Sequence, residues 1–163
     1  MISYTEYDSP LGTLLLAASP RGITGLYFEE HKYFAGPGNW QRDDAHPHLT
    51  EAVRQLEDYF RGERHDFDLA LDASGTPFQQ AVWEALRTLR FGTTTTYASI
   101  AERIARPNAI RATGTAIGRN PISIIVPCHR VLGSSGALSG FAGGLPRKRY
   151  LLDLESRHAF KLK

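Results

Sequence analysis

The sequence predicts an α+β fold, in which a small N-terminal antiparallel sheet with one helix precedes a mainly helical segment. Short β-prone runs separated by turn signals open the chain, whereas apolar residues at helical spacing dominate its second half. The charge also changes sign between the halves. Residues 1–75 carry 6 Lys and Arg against 13 Asp and Glu, and residues 76–163 carry 13 against 4. We therefore expect two domains, 1–75 and 76–163.

Three strands of an antiparallel meander are predicted at the start of the chain. Segments at residues 8–12 and 19–22 contain the Ser, Pro and Gly residues that favour turns, and they separate the strands. The predicted strands cover residues 2–7, 12–18 and 22–28.

One helix and a last strand complete the predicted first domain. After a loop rich in Gly and Pro, apolar residues recur at helical spacing from Pro47 until Gly62. Apolar residues then alternate with aspartates between residues 67 and 71, which predicts a strand before the linker at residues 73–75.

The second half opens with Thr76-Pro77-Phe78-Gln79, which supplies an N-cap, a first-turn proline and a glutamine at the third helical position. This helix is predicted to end near Gly92. Thr96 caps a second, short helix, and Arg106-Pro107 breaks it before a third helix at about residues 108–118. Two short helices joined by a tight turn predict a helix-turn-helix unit.

The remaining elements predict a winged-helix arrangement. Residues 122–126 are predicted to form a buried strand, and residues 133–136 a hairpin or wing tip. A closing helix is predicted from Pro146 to Glu155.

Composition excludes several classes of protein. The chain is 42% hydrophobic and 22% charged, as in an ordinary soluble globular protein. It has no apolar run long enough to span a membrane and no signal-peptide pattern at its start, so we expect a cytoplasmic protein. The single cysteine, Cys128, excludes an intrachain disulfide and a Cys-rich zinc site. We assign His46 and His48 to a solvated loop and expect neither a metal nor a cofactor.

The basic second half favours a polyanionic partner. Between Arg87 and Arg149 the only acidic residue is Glu102. Charge this one-sided indicates nucleic acid more strongly than an acidic partner protein.

The third helix has a nearly bare outer face. A helix with only small residues and one arginine can approach the minor groove closely, and Arg111 alone is long enough to enter the base stack. Tight packing inside the protein is an equally good explanation of the small residues by themselves, but the basic context favours DNA. We expect Ile110, Thr113 and Ile117 to face inward. The outer face holds Arg111, Gly114, Thr115 and Gly118.

Cys128 is the candidate nucleophile. A lone cysteine is usually a buried apolar residue, but the neighbouring His129 and Arg130 are groups that can lower the pKa of a thiol. Glu155 shares a face of the closing helix with apolar residues, which predicts a buried carboxylate that orients His129, unless the last turn is exposed. We expect a water, rather than direct contact, to link His129 to Cys128.

The stretch Ile124-Ile125-Val126-Pro127-Cys128-His129-Arg130-Val131 closely resembles the active-site signature of the O6-alkylguanine-DNA alkyltransferases. Asn120-Pro121 before it and Gly143-Gly144-Leu145 after it also match. The resemblance extends over residues 76–155, and the first half matches more loosely in length and layout.

The resemblance implies a two-domain, monomeric DNA repair protein. Its winged-helix domain would bind the minor groove of double-stranded DNA and flip an O6-alkylguanine, or an O4-alkylthymine, into a pocket. Cys128 would accept the alkyl group permanently in a single-turnover transfer.

The resemblance also implies roles for single residues. His129 would act through a water on the Cys128 thiol, and Glu155 would orient His129. Arg111 would fill the gap left by the flipped base. The other assignments are Tyr97 pressing on the adjoining backbone, Asn120 bracing the turn that holds Cys128, and Ser134 bordering the pocket.

Phe141 departs from the family pattern. Many members have Tyr at this position, with a hydroxyl expected to hydrogen-bond the leaving O6. We expect a backbone amide or a water near residues 134–139 to supply the missing donor.

Two other functions are compatible with parts of the pattern. A winged-helix protein could bind alkylated DNA and only mark the lesion or serve a regulatory role, although relatives of that kind lack the acceptor cysteine. A cysteine hydrolase could use Cys128 and His129, but the sequence contains no indication of an oxyanion hole beside a basic DNA face.

Overall fold

The computed structural model describes residues 1–138 and 140–160. It confirms the predicted α+β order, with the sheet first and the helices after it. The strands are β1 (Ser3–Ser9), β2 (Gly12–Ser19), β3 (Gly22–Tyr27), β4 (Gln41–Arg42), β5 (Thr95–Thr96) and β6 (Val131–Leu132). The helices are α1 (Pro47–Phe60), α2 (Pro77–Arg87), α3 (Tyr97–Arg103), α4 (Ile110–Gly118) and α5 (Leu145–His158), and Cys128–Arg130 forms a 3-10 turn.

The main sheet is a meander with one added strand. Strands β1, β2 and β3 pair antiparallel in chain order, which confirms the predicted meander. Strand β4, which we did not predict, pairs parallel to β1, so the order is β3-β2-β1-β4. Two residues are too few to show an alternating pattern, and for this reason the sequence contains no signal for β4.

Helix α1 covers one face of this sheet. Leu14, Leu16 and Leu26 of the sheet are fully buried, as are Leu49 and Leu56 of the helix. Complete burial of a leucine stabilises the fold by about 1.5–3 kcal/mol relative to exposure. The packing of these apolar residues against the sheet therefore stabilises α1.

The strand predicted at residues 67–71 is reduced to a single parallel bridge between Leu71 and Ile23. Helix α1 explains the loss. The side-chain amide of Gln55 donates to Asp68 O at 3.0 Å and accepts from Asp68 N at 2.9 Å. These backbone groups are consequently not available for a ladder.

The prediction of a strand at residues 122–126 is wrong. The segment is a buried series of turns with one bridge, from Ile122 to Leu26 of β3. Val126 N donates to Ile122 O at 2.9 Å, and Ile124 has a φ of +70°. A β-branched residue at positive φ costs about 1–3 kcal/mol, so the surrounding packing must hold this conformation.

Helices α2 and α3 begin at the expected caps. Thr76 Oγ1 accepts from Gln79 N at 3.1 Å, and Thr76 N donates to Gln79 Oε1 at 3.0 Å, which completes a capping box. The Thr96 hydroxyl caps α3. Helix α2, however, ends at Arg87 rather than near Gly92. The next two amides bond three residues back instead of four, which tightens the chain into a turn.

Helices α3 and α4 pack on each other and on α2. Helix α4 begins at Ile110, two residues later than predicted. The predicted wing tip is a tight turn in which Gly136 N donates to Gly133 O at 2.9 Å, and β6 before it pairs parallel with β5. Within residues 1–138 and 140–160, no helix is long and apolar enough to cross a membrane.

Candidate active site

A cavity of about 430 Å³ opens beside Cys128, which is 7% exposed. Helices α3 and α4, the turn before Cys128 and the segment at residues 140–145 form most of its wall. Lys32 and Tyr33 add a contribution from the first half of the chain that the sequence analysis missed. Other lining residues are Tyr97, Gly114, Gly118, Asn120, Ser123 and Phe141.

Asn120 spans the turn that leads to Cys128. Its Nδ2 donates to Val126 O at 2.9 Å, and its Oδ1 accepts from Ile122 N at 3.0 Å. Asn120 is buried, so these bonds satisfy both ends of an amide that water does not reach. The turn that presents the cysteine is thereby held from inside.

The resting state of Cys128 differs from the expectation. We expected His129 and Arg130 to lower the pKa of the thiol, but burial raises this pKa. The polar side chains of Asn120 and Ser123 and the charge of Lys148 lower this pKa without overcoming the effect of burial. Cys128 is therefore a thiol at neutral pH, and a base must remove its proton before it can attack.

The residue after Cys128, His129, carries an imidazole that can accept a proton. Its Nε2 lies 2.7 Å from Glu155 Oε2, and both side chains are almost completely buried. An ionised carboxylate only accepts hydrogen bonds, so the proton lies on Nε2 and Nδ1 is left with a lone pair. Nδ1 is buried and makes no hydrogen bond to any described residue. Burial lowers the pKa of His129, which keeps the imidazole neutral and able to accept a proton.

Glu155 is buried, as predicted from its place on the closing helix, and is 1% exposed. Burial alone would raise the pKa of its carboxyl, but hydrogen bonds from His129 and Arg130 and the charge of Arg130 outweigh burial and hold this pKa well below its usual range. Glu155 is therefore ionised at neutral pH. The donors to its two oxygens are Tyr59 Oη at 2.7 Å, His129 Nε2 at 2.7 Å, Arg130 Nε at 2.8 Å, Arg130 Nη2 at 3.0 Å and Gly92 N at 3.2 Å.

Tyr59 is a site residue that the sequence analysis missed. It lies on the buried face of α1 and is fully buried, yet its hydroxyl reaches the same Glu155 oxygen that holds His129. The sequence analysis treated Tyr59 as one of the apolar residues at helical spacing. The signal that could have singled it out is its phenol, because a buried hydroxyl requires a partner.

The outer face of α4 is exposed beside the cavity. Arg111 and Thr115 are exposed, and Gly114 and Gly118 are half-buried. A Cβ atom added to Gly114 would lie 3.6 Å from the Tyr97 ring, an ordinary van der Waals distance, so the packing of α3 on α4 does not itself require a glycine here.

The inner face of α4 differs from the prediction at one position. Thr113 and Ile117 are buried as expected, but Ile110 is 45% exposed. It occupies the first position of the helix, ahead of the turns that pack on α2. Ala116 takes the inward position instead, and its carbonyl accepts from Trp83 Nε1 at 2.9 Å.

Comparisons with known proteins match nearly the whole chain. Residues 2–73 match the family model described as the ribonuclease-like domain of 6-O-methylguanine DNA methyltransferase, and residues 77–157 match the model of its DNA binding domain. The chain is 48% identical to the methylated-DNA--protein-cysteine methyltransferase of Mycobacterium tuberculosis strain H37Rv, over 98% of this chain and 95% of the relative. The chain belongs to the 6-O-methylguanine DNA methyltransferase family.

Other members agree in sequence and in fold. The methyltransferase of the same name from Haemophilus influenzae is 46% identical over 93% of this chain and 85% of its own. The crystal structure of Mycobacterium tuberculosis OGT in complex with DNA has a TM-score of 0.89 and 47% identity, covering 96% of this chain and 94% of that one.

In this methyltransferase fold, a second buried cation lies near the nucleophile. Lys148 of α5 is fully buried, and its Nζ donates to Val131 O at 2.7 Å and to Gly140 O at 3.3 Å. Burial lowers its pKa to about 8, against the opposing effect of Cys128. The sequence analysis missed Lys148, although it lies seven residues before Glu155 and hence on the same helix face.

The segment between residues 133 and 144 divides into two parts. Ser134 is exposed in the tight turn and is not among the described residues that line the cavity, so its place at the cavity border stays a prediction. Phe141 lines the cavity and packs on Phe28 of the first half, with ring centroids 5.6 Å apart. Of the residues in which we sought a substitute donor, Ser139 lies outside the described residues.

Proposed function

We propose that this chain repairs DNA by direct reversal, transferring the alkyl group of O6-alkylguanine to Cys128 Sγ. One observation carries the proposal: Cys128 lies in the wall of a cavity beside the exposed face of α4, next to the buried pair of His129 and Glu155. A cysteine linked to a base and facing a cavity suits nucleophilic attack on a bound group.

The reaction begins with proton removal. His129 Nδ1 accepts the proton of the Cys128 thiol through one water, and Glu155 stabilises the imidazolium that forms. Because the pKa of the thiol is raised and that of His129 is lowered, the resting protein holds both groups neutral. The thiolate therefore forms only as the transfer proceeds.

The transfer itself is a displacement at carbon. The thiolate sulfur forms a bond to the alkyl carbon, and the bond between that carbon and O6 breaks with its electron pair going to the guanine. The guanine then takes up one proton, so the thiol proton is conserved overall. A thioether on Cys128 has no route back to a thiol, which makes each protein molecule react once.

The face of α4 supports binding of double-stranded DNA through the minor groove. Gly114 and Gly118 let the backbone approach closely, and the exposed Arg111 fills the space that the flipped guanine leaves. Tyr97, in the cavity wall next to Gly114, presses on the backbone beside the flipped nucleotide. Asn120 holds the turn of Cys128, and Phe141 stacks on the base.

We also propose the organisation and setting of the protein. A division near residue 75 separates an N-terminal α/β domain from the domain that binds DNA and accepts the alkyl group. The monomer is the active form, because Cys128, His129 and Glu155 come from one chain, and His129 bonds Glu155 within it. The proposed location is the cytoplasm.

Mass spectrometry after incubation with a duplex containing O6-methylguanine tests the proposal. We expect a gain of one methyl group per protein, on the peptide that contains Cys128, and no gain with the unmethylated duplex. Unchanged protein mass with tight binding would support a protein that only flags the lesion. Release of product without protein methylation would support turnover and contradict the transfer.

A further inference from the structure

Three residues at the edge of the cavity have no part in the transfer. Arg119 follows the last residue of α4, and its Cζ lies 3.8 Å from the centroid of the Tyr33 ring. Lys32 Nζ lies 5.1 Å from the same centroid. Tyr33 is 57% exposed although two cations contact its ring. Two cations therefore converge on one exposed aromatic ring.

The backbone holds this group across the cavity edge. Lys32 N donates to Ala142 O at 3.0 Å, which joins the loop after β3 to the cavity wall. The next residue, Tyr33, has a φ of +67°, in the left-handed region that non-glycine residues rarely adopt. The loop thus connects the cavity wall at Ala142 with the end of α4 at Arg119.

The group lies where two cavities meet. Lys32 and Tyr33 line the cavity that contains Cys128, and they also line a neighbouring cavity of about 240 Å³ together with Arg119. A nucleotide that leaves the duplex and enters the first cavity remains attached to its strand. Its phosphates must therefore pass close to the edge of that cavity.

The charges of the group are not neutralised within the protein. Among the described residues, neither Arg119 nor Lys32 forms an ion pair with a carboxylate. A guanidinium over a ring face can direct N–H groups away from the ring, and these groups match two oxygens of a phosphate. Stacking also limits the conformations of the arginine before any ligand binds.

We propose that Arg119 and Lys32 bind one phosphodiester of the strand that carries the flipped nucleotide, with Tyr33 holding Arg119 in place. This inference rests on the proposed function and adds a DNA contact from the acidic first half of the chain. Arg111 and Arg119 lie at opposite ends of α4, about 12 Å apart along the helix axis. They therefore contact different parts of the DNA.

The salt dependence of DNA affinity tests the site. Each neutralised phosphate of B-DNA contributes about 0.9 to the slope of log affinity against log salt concentration. We expect the double variant Arg119→Gln, Lys32→Gln to lose one such contribution. Between 50 and 200 mM salt, the affinity of the unaltered protein should then fall about 3.5-fold further than that of the double variant.

Two further sets of variants separate binding from folding. Tyr33→Phe keeps the ring, and the salt dependence of DNA affinity should stay unchanged. Tyr33→Leu removes the ring, and the salt dependence should become weaker. Arg21→Gln is the matched control, because Arg21 lies in the turn between β2 and β3 and its side chain is 87% exposed. This variant should bind DNA with an unchanged slope.

The outcomes distinguish the two proposals. If the unaltered protein does not take up a methyl group from the duplex, the proposed function fails. If it does so and the double variant shows an unchanged slope, the phosphate site alone fails. A lower unfolding temperature of the double variant with an unchanged slope would show that the stack only ties two segments together.

Discussion

The proposed reaction centre and the proposed DNA-binding face of this chain are built in opposite ways. The centre joins residues from distant segments: Tyr59 of α1 bonds Glu155 of α5, which bonds His129 in the 3-10 turn, and all three are almost completely buried. The face comes from one short helix, α4, and is exposed. In the centre, the position of each side chain is fixed by a partner far away in the sequence. On the face, the positions of the side chains follow from the helical repeat of α4.

This difference has an energetic consequence. Removing one partner of a buried charge leaves the other uncompensated and costs about 3–5 kcal/mol, whereas an exposed side chain can be removed with an effect of about 0.5 kcal/mol or less on stability. Changes in the centre should therefore alter both folding and transfer. Changes on the face should alter DNA binding alone.

The largest expected effect separates the two regions completely. Cys128→Ala should abolish methyl uptake and leave affinity for duplex DNA nearly unchanged, because the sulfur is in the cavity wall and not on the exposed face of α4. Mass spectrometry and a binding titration on the same duplex measure the two properties. Methyl uptake by this variant would remove Cys128 from its proposed role.

Glu155→Gln should have the next largest effect. The amide keeps the shape of the carboxylate but leaves Arg130 unpaired and His129 poorly oriented, so transfer should slow by about 100-fold. The free energy of unfolding should fall by about 3 kcal/mol. Single-turnover rates and chemical denaturation test both effects, and an unchanged rate at neutral pH would disconnect Glu155 from proton removal.

Arg111→Ala tests the face without altering the centre. Flipping a base costs a few kcal/mol, and the loss of the inserted side chain should slow repair of a duplex by about 10-fold. The rate with the free base O6-alkylguanine should fall much less, because no base has to leave a stack. Equal slowing with both substrates would place Arg111 in the chemistry instead.

Tyr59→Phe tests whether the first half of the chain supports the centre. Loss of a hydrogen bond to a buried carboxylate should lower the free energy of unfolding by about 2 kcal/mol. Transfer should slow a few-fold, since Glu155 would be less firmly held against His129. Phe60→Leu is a suitable control, because Phe60 is next to Tyr59 but only half-buried, and transfer by this variant should stay unchanged.

Phe141→Tyr should have the smallest effect. It alters the wall of the cavity that contains Cys128. A hydroxyl aimed at O6 would stabilise the leaving group, an interaction worth about 3 kcal/mol when the donor is ideally placed. Packing of Phe141 on Phe28 restricts how far the ring can turn, so we expect only a few-fold faster transfer on O6-methylguanine DNA. An equal or slower single-turnover rate would mean that the site already has its donor.

Several features of the centre were accessible to sequence reasoning, for identifiable reasons. The burial of Glu155 followed from its position relative to the apolar residues of α5. Tyr59, however, was counted among apolar residues, because helical spacing shows which side a residue faces and not which atom it meets. The pKa of Cys128 was expected to fall because its neighbours in sequence are basic, but the low-polarity surroundings that raise it come from distant segments.

The sequence by itself determined the order of sheet and helices, the caps of α2 and α3, and the bare face of α4. Each of these depends on residues within a few positions of one another, where the repeat of a helix or strand and the chemistry of a cap act directly. Only the tertiary structure decided that residues 122–126 form turns instead of a strand. It also decided that the Tyr59 hydroxyl bonds Glu155, and that the loop at Lys32 reaches the cavity. These outcomes depend on packing between segments far apart in the chain, and no local pattern specifies the partner that each segment meets.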